Sequence, residues 1–202
     1  MRITVSLIAA NVVVFVMQAL IPGFTEAFAL TPDSAIAGLQ VWQFFTYMFL
    51  HGSLMHITFN MFVLFMFGTV IEHSLGERKY IFLYLVSGIG AALLHVGLTG
   101  LSDVMMLGAS GAVFGVLTAY GFMFPKNIIF VFPGIPVPAI FAVVGFAALE
   151  LFSGIFGLEP GIANFGHLGG IVTGVILMYY WKSRMRSSRK WRDVRDFEYF
   201  WE

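Results

Sequence analysis

The sequence predicts an all-α, polytopic membrane protein: a bundle of six transmembrane helices with both termini on the cytoplasmic side. Three observations carry that expectation. The 202 residues are 59% hydrophobic and 11% charged, with a mean hydropathy of +0.88. A soluble domain carries about 25% charged residues, so this chain has too few to cover a water-facing surface. Six apolar segments, about 4–21, 54–71, 80–98, 108–124, 137–156 and 164–181, are long enough to cross a bilayer. With six crossings, all 11 Lys and Arg fall on one side, which the positive-inside rule makes cytoplasmic.

The first segment, within "MRITVSLIAANVVVFVMQALIPG", could be taken for a signal peptide. It lacks a small-x-small cleavage site and its apolar run is long enough to span, so it reads as a retained first helix. A long connection, about 22–53, follows with Pro22, Pro32, Trp42 and many aromatics, and it contains no Lys or Arg. "EHSLGERKY" (72–80) reads as a tight connection between the second and third spans, with Gly76 ending a helix. Arg78 and Lys79 lie there, Lys126 lies between the fourth and fifth spans, and seven basic residues follow the sixth. Residues 1–181 form one membrane domain, and 182–202 a basic, aromatic cytoplasmic tail, either a stop-transfer anchor or a segment lying on anionic lipid. Zero net charge gives no sign of a nucleic-acid partner, and the lack of cysteine excludes disulfides, thiolate catalysis and Cys-zinc sites.

Polar side chains inside spans are functional suspects. Counting about 1.5 Å per residue from each cytoplasmic helix end puts Ser110 and His56 at roughly 24 Å, His167 at roughly 22 Å and Asn60 at roughly 18 Å. In a hydrocarbon core of about 30 Å, these four groups on three helices share one level a little below the outer surface. Gly108, Gly111 and Gly115 on the fourth span, and Gly166, Gly170 and Gly174 on the sixth, form stripes at helical spacing. Such stripes let membrane helices approach closely, which would bring Ser110 and His167 together.

A serine hydroxyl becomes a nucleophile when a base accepts its proton, and histidine is the usual base near neutral pH. Acyl transfer also needs donors for the developing oxyanion. His56 and Asn60, four apart on one helical face, and the backbone N–H of Ser110 near a helix start are suitable. No orienting carboxylate is obvious. Glu150, at roughly 20 Å in the fifth span, reads as a hydrogen-bonded structural acid in preference to a His-orienting residue or gate. His95 and His73 read as solvated near the membrane surfaces, and His51 as structural.

With "HGSLMHITFN" (51–60), "GASGAVFG" (108–115) and "NFGHLGG" (164–170) taken together, the chain resembles the rhomboid intramembrane serine proteases over nearly its whole length, in a minimal six-helix form. The resemblance implies a Ser110–His167 catalytic dyad, oxyanion help from His56 and Asn60, and no cofactor or metal. It also implies transmembrane protein substrates cut near the outer face, membrane lipid as the other partner, and a prokaryotic inner membrane as the setting. Two positions depart from common family features. Trp42-Gln43 replaces a Trp-Arg pair, which puts an Arg-held loop network in question. Phe114 stands where some members stack a Tyr on the catalytic histidine. The competing readings are a silent rhomboid-like binder of transmembrane helices, and a small transporter or metal carrier using His56, His167 and Glu150. The first is disfavoured by retention of Ser110 and His167. The second is disfavoured by the absence of HExxH, cysteine and visible inverted repeats. A hydrolase at this depth needs water, so a polar cavity is expected, open to the outside, floored near Asn60 and walled by the second, fourth and sixth spans. Its lid would be the first loop or the loop before His167.

Overall fold

The computed structural model describes residues 1–131, 134–156 and 164–185. The loop before His167 and most of the basic tail, including its aromatic residues, lie outside the described residues.

The long apolar runs fold as helices because, without water, backbone N–H and C=O groups must pair within the segment. Helix α1 (Arg2–Leu20) buries Thr4, Leu7 and Asn11, three or four residues apart, and so meets the bundle along one stripe. The long connection is itself partly helical: α2 (Phe24–Phe28), α3 (Pro32–Ile36, with proline in its first turn), α4 (Gln43–Thr46) and a 3-10 turn (Tyr47–Phe49). Helix α5 (Leu54–Leu75) starts where the Ser53 side chain accepts the N–H of His56, and it ends at Gly76, whose φ of +81° closes it as the sequence indicates. Helix α6 (Glu77–Thr99) follows at once, and α7 (Ser110–Met123) lies at the centre of the bundle. Strands β1 (Ile128–Val131) and β2 (Ile135–Pro138) pair antiparallel before α8 (Ala139–Phe156) and α9 (Asn164–Met185).

Among the described residues, α1, α5, α6 and α8 are long and apolar enough to cross a membrane, and α7 is a shorter apolar helix. The all-α expectation is corrected by the hairpin. Its β-branched and aromatic strand "IIFV" and the glycine at position 134, with φ +118°, are ordinary hairpin signals that the hydrophobic run masks. The fourth span also begins later than expected. Gly108 has φ +130°, outside the helical region, and leaves the glycine stripe to the residues after Ser110.

Helix α9 wedges between α6 and α7. A β-carbon on Gly170 would collide with the carbonyl oxygen of Gly111, and one on Gly174 would come within 2.9 Å of the carbonyl oxygen of Gly115. On its other side α9 sets Gly169 against the Gly90 carbonyl of α6. Backbone therefore touches backbone at the positions the glycine spacing indicates. At the C-terminal end of α5, buried Glu72 accepts the N–H groups of Ile3 (3.0 Å) and Thr4 (2.8 Å) and the Thr4 hydroxyl (2.6 Å). The carboxylate thus satisfies the first turn of α1 and holds that helix to the bundle.

Candidate active site

Ser110 opens α7, so its hydroxyl sits at the rim of the helix and its backbone N–H lacks a partner within the helix. The tight path into that position comes from Gly108, whose N–H donates to the Tyr47 carbonyl at 3.0 Å. A β-carbon at Gly108 would come within 2.8 Å of the His56 ring. Glycine is required there on two counts, the positive φ and the close approach of His56.

His167, one turn into α9, points Nε2 at the Ser110 Oγ, 2.7 Å away. Because α7 and α9 meet through Gly111 and Gly170, these two side chains on their neighbouring faces reach each other. Phe114, one turn after Ser110, lies against the His167 ring with centroids 4.8 Å apart and planes tilted by 37°. The phenyl ring confines the imidazole as a tyrosine would, without a hydroxyl. Phe146 of α8 meets Phe114 edge-on from the other side, at 6.1 Å.

His56 lies across from Ser110 on α5. The Gly52 N–H points at its Nδ1, 3.4 Å away, which makes Nδ1 an acceptor and leaves the proton on Nε2. Nε2–H is therefore a donor, on the side facing Gly108 and Ser110. Asn60, one turn deeper and 7% exposed, donates one amide hydrogen to the His56 carbonyl at 3.0 Å and keeps a second. Ser110 and His167 are in direct contact, His56 is adjacent, and Asn60 shares their cavity one layer below.

That cavity, about 1780 Å³, differs from the polar pit expected. One end is polar, around Gly52, His56, Asn60, Ser110 and His167, and polar residues return at the far end with Thr69, His73, Ser74 and Asn127. Below Asn60 it continues as an apolar groove past Phe62, Met66 and Val70 of α5 and Leu117 of α7, down to the β1 strand. There is no floor at Asn60 because α8 packs on α7 and α9 and leaves this face of α5 uncovered.

The first loop, residues 22–53, is tied down by several groups, of which the sequence singles out His51 as structural. Gln43, wholly buried, accepts the Thr31 N–H at 3.0 Å and donates to the Gln40 side chain at 2.9 Å. It bridges loop segments at the position where the resemblance leads one to expect arginine. The Trp42 indole donates to the Ala27 carbonyl at 3.0 Å, and the Tyr47 hydroxyl donates to the Gly88 carbonyl of α6 at 2.6 Å. His51 is buried edge-on to His56, with ring centroids 5.0 Å apart. Its backbone exchanges hydrogen bonds with the Gln18 side chain of α1.

Burial, helped by the nearby His56, pulls the His51 imidazole down to about 4. The folded value lies below the unfolded value of about 6.5, so folding favours the neutral ring. Stability from this source is full above about pH 6.5 and is lost as pH falls toward 4. Thermal unfolding in detergent should therefore drop in midpoint across that window, and His51→Gln should flatten the drop. Equal slopes in the two proteins would place the acid sensitivity elsewhere.

A Rhomboid domain family model matches residues 38–184, which include every residue of this site. The chain belongs to the rhomboid family. It is 29% identical to the Rhomboid protease GlpG of Serratia proteamaculans, over 92% of this chain and 64% of that protein. It is 34% identical to Rhomboid-type serine protease 2 of Emericella nidulans, over 72% of this chain and 28% of that protein. RHOMBOID-like protein 6, mitochondrial, of Arabidopsis thaliana is 29% identical over 83% of this chain and 52% of that protein. These matches span from about a quarter to about two thirds of the relatives' lengths. Rhomboid membership and the long apolar helices make this an integral membrane protein.

Glu150, which the sequence presents as a hydrogen-bonded structural acid in preference to a His-orienting residue, accepts the Asn164 amide at 2.9 Å and also places Oε1 3.0 Å from His167 Nδ1. Its only sequence signal is a carboxylate inside an apolar span, which says that a partner exists and leaves the partner's identity open.

Proposed function

We propose that this rhomboid is an intramembrane serine endopeptidase that cuts transmembrane segments near the extracytoplasmic face, using Ser110 as nucleophile and His167 as general base. The observation that carries the reading is the 2.7 Å contact between Ser110 Oγ and His167 Nε2 at the start of a helix with free N–H groups. As Oγ attacks the scissile carbonyl carbon, its proton passes to Nε2 and the carbonyl π pair moves onto oxygen. The Ser110 N–H, the His56 Nε2–H and the second amide hydrogen of Asn60 are the donors for that oxyanion. Collapse breaks the C–N bond, and the departing amine takes the proton from Nε2. Water then attacks the ester on Ser110 while His167 accepts its proton, and a second collapse returns that proton to Oγ and frees the acid.

The same reading takes α1, α5, α6, α7, α8 and α9 as six crossings with both termini cytoplasmic, in a prokaryotic inner membrane. Helix α7 has 14 residues, roughly 21 Å of rise, shorter than the hydrocarbon core of about 30 Å. A short central helix anchored at its inner end leaves Ser110 recessed below the outer surface, under the polar mouth of the cavity. The apolar groove below suits a substrate's membrane-embedded part, while the polar end admits water.

A membrane-impermeant fluorophosphonate, which reacts with activated serines, should label Ser110 from the outer face of intact spheroplasts. Ser110→Ala should abolish the labelling. Labelling from the cytoplasmic face alone would overturn the orientation, and a failure to label from either face would favour a silent helix-binding protein.

A further inference from the structure

Glu150 lies within α8, 17% exposed at its side chain, in a helix apolar enough to span the membrane. A carboxylate there is costly unless protonated or paired. Among the described residues, its ionic partner is His167. Gly154, one turn after Glu150 on the same face, sits against Asn164 and Phe165, and a β-carbon there would press to 2.9 Å from the Phe165 ring. This small residue brings α8 close to the first turn of α9. The carboxylate then spans two α9 side chains three residues apart. Its Oε2 accepts the Asn164 amide at 2.9 Å, and its Oε1 stands 3.0 Å from His167 Nδ1. The Nδ1 contact is within ion-pair range but short of hydrogen-bond alignment. Catalytic contacts commonly tighten in this way only when substrate binds.

We propose that Glu150, held by Asn164, is a positioning residue for His167: it keeps the proton on Nδ1, leaves the Nε2 lone pair to accept from Ser110, and stabilises the imidazolium that forms. This rests on the role proposed above for Ser110 and His167, and it adds a supporting carboxylate to that pair without a third group touching substrate. The proton from Oγ still ends on Nε2, and Glu150 stays ionised throughout. The arrangement accounts for a charge kept inside a spanning helix and for the buried Asn164 that orients it.

The test is the tautomer of His167, read by NMR on 15N-histidine-labelled protein in detergent, with His167→Ala assigning the His167 signals. Wild type should carry the proton on Nδ1, facing Glu150, and Glu150→Gln, whose amide can donate to Nδ1, should raise the share of the Nε2–H form. Cleavage by Glu150→Gln should fall about tenfold to a hundredfold in kcat with KM unchanged. Glu150→Asp, which keeps the charge, should recover part of the rate. A His167 tautomer identical in wild type and Glu150→Gln would overturn the proposal. So would a rate loss that follows thermal stability alone. A tautomer shift in Glu150→Gln beside a wild-type protein that cuts nothing would sink the protease reading and leave the Glu150–His167 pairing intact.

Discussion

Ser110→Ala and His167→Ala should each reduce cleavage of a transmembrane substrate by a factor on the order of 10⁶, and the double variant should be no slower than either. The near-equality follows from the geometry. Oγ and Nε2 are 2.7 Å apart, and in the proposed mechanism one proton passes between them, so removing either partner would end the same event. The folded state survives both changes. Ser110→Ala deletes a hydroxyl whose side-chain partner is His167, a loss of about 1 kcal/mol. His167→Ala takes away the ring stacked on Phe114 and the partner of Glu150, and costs about 1–3 kcal/mol. Gel-based cleavage in liposomes, paired with thermal unfolding in detergent, separates lost chemistry from lost fold. Wild-type cleavage by Ser110→Ala would remove the serine from the mechanism.

Gly170→Leu should abolish the native bundle, and even Gly170→Ala should cost about 3 kcal/mol or more. The added β-carbon meets the Gly111 carbonyl oxygen of α7, and no rotamer change moves a backbone atom away. Relief requires α9 to separate from α7, which carries His167 away from Ser110, so activity and stability fall together. Gly174→Leu fails for the same reason one turn deeper, against the Gly115 carbonyl and Thr118. Gly145 in α8 is the control: nothing lies within 4 Å of its added β-carbon. Gly145→Ala should be neutral or stabilise by up to about 1 kcal/mol through helix propensity. Thermal unfolding of the four variants checks the series, and a Gly170→Ala protein as stable as Gly145→Ala would show that the α7–α9 contact is looser than described.

What could be read in the chain alone is what depends on one helix at a time. A hydrophobic run must become a helix in lipid, because its backbone has no other partner there, so the long helices were legible. Rise per residue turned positions into depths, which set Ser110, His56 and His167 at one level. Glycine spacing marked the faces through which α7 and α9 would touch. The motifs around these residues pointed to the rhomboid family, which the family match over residues 38–184 bears out. Lateral arrangement was beyond reach, because it depends on which helices lie beside one another and how closely. Glu150 and His167 are brought together by the approach of α8 to α9 at Gly154, a contact that no spacing rule along the chain encodes. Gln43 could be credited as a loop-holding residue only once Thr31 and Gln40 were seen around it. The cavity's depth was decided by where α8 does not pack, and the start of α7 by a positive φ at Gly108. Backbone pairing and rise act within a helix and are written in its own residues. The placing of a carboxylate against an imidazole is settled only when two helices distant along the chain have packed.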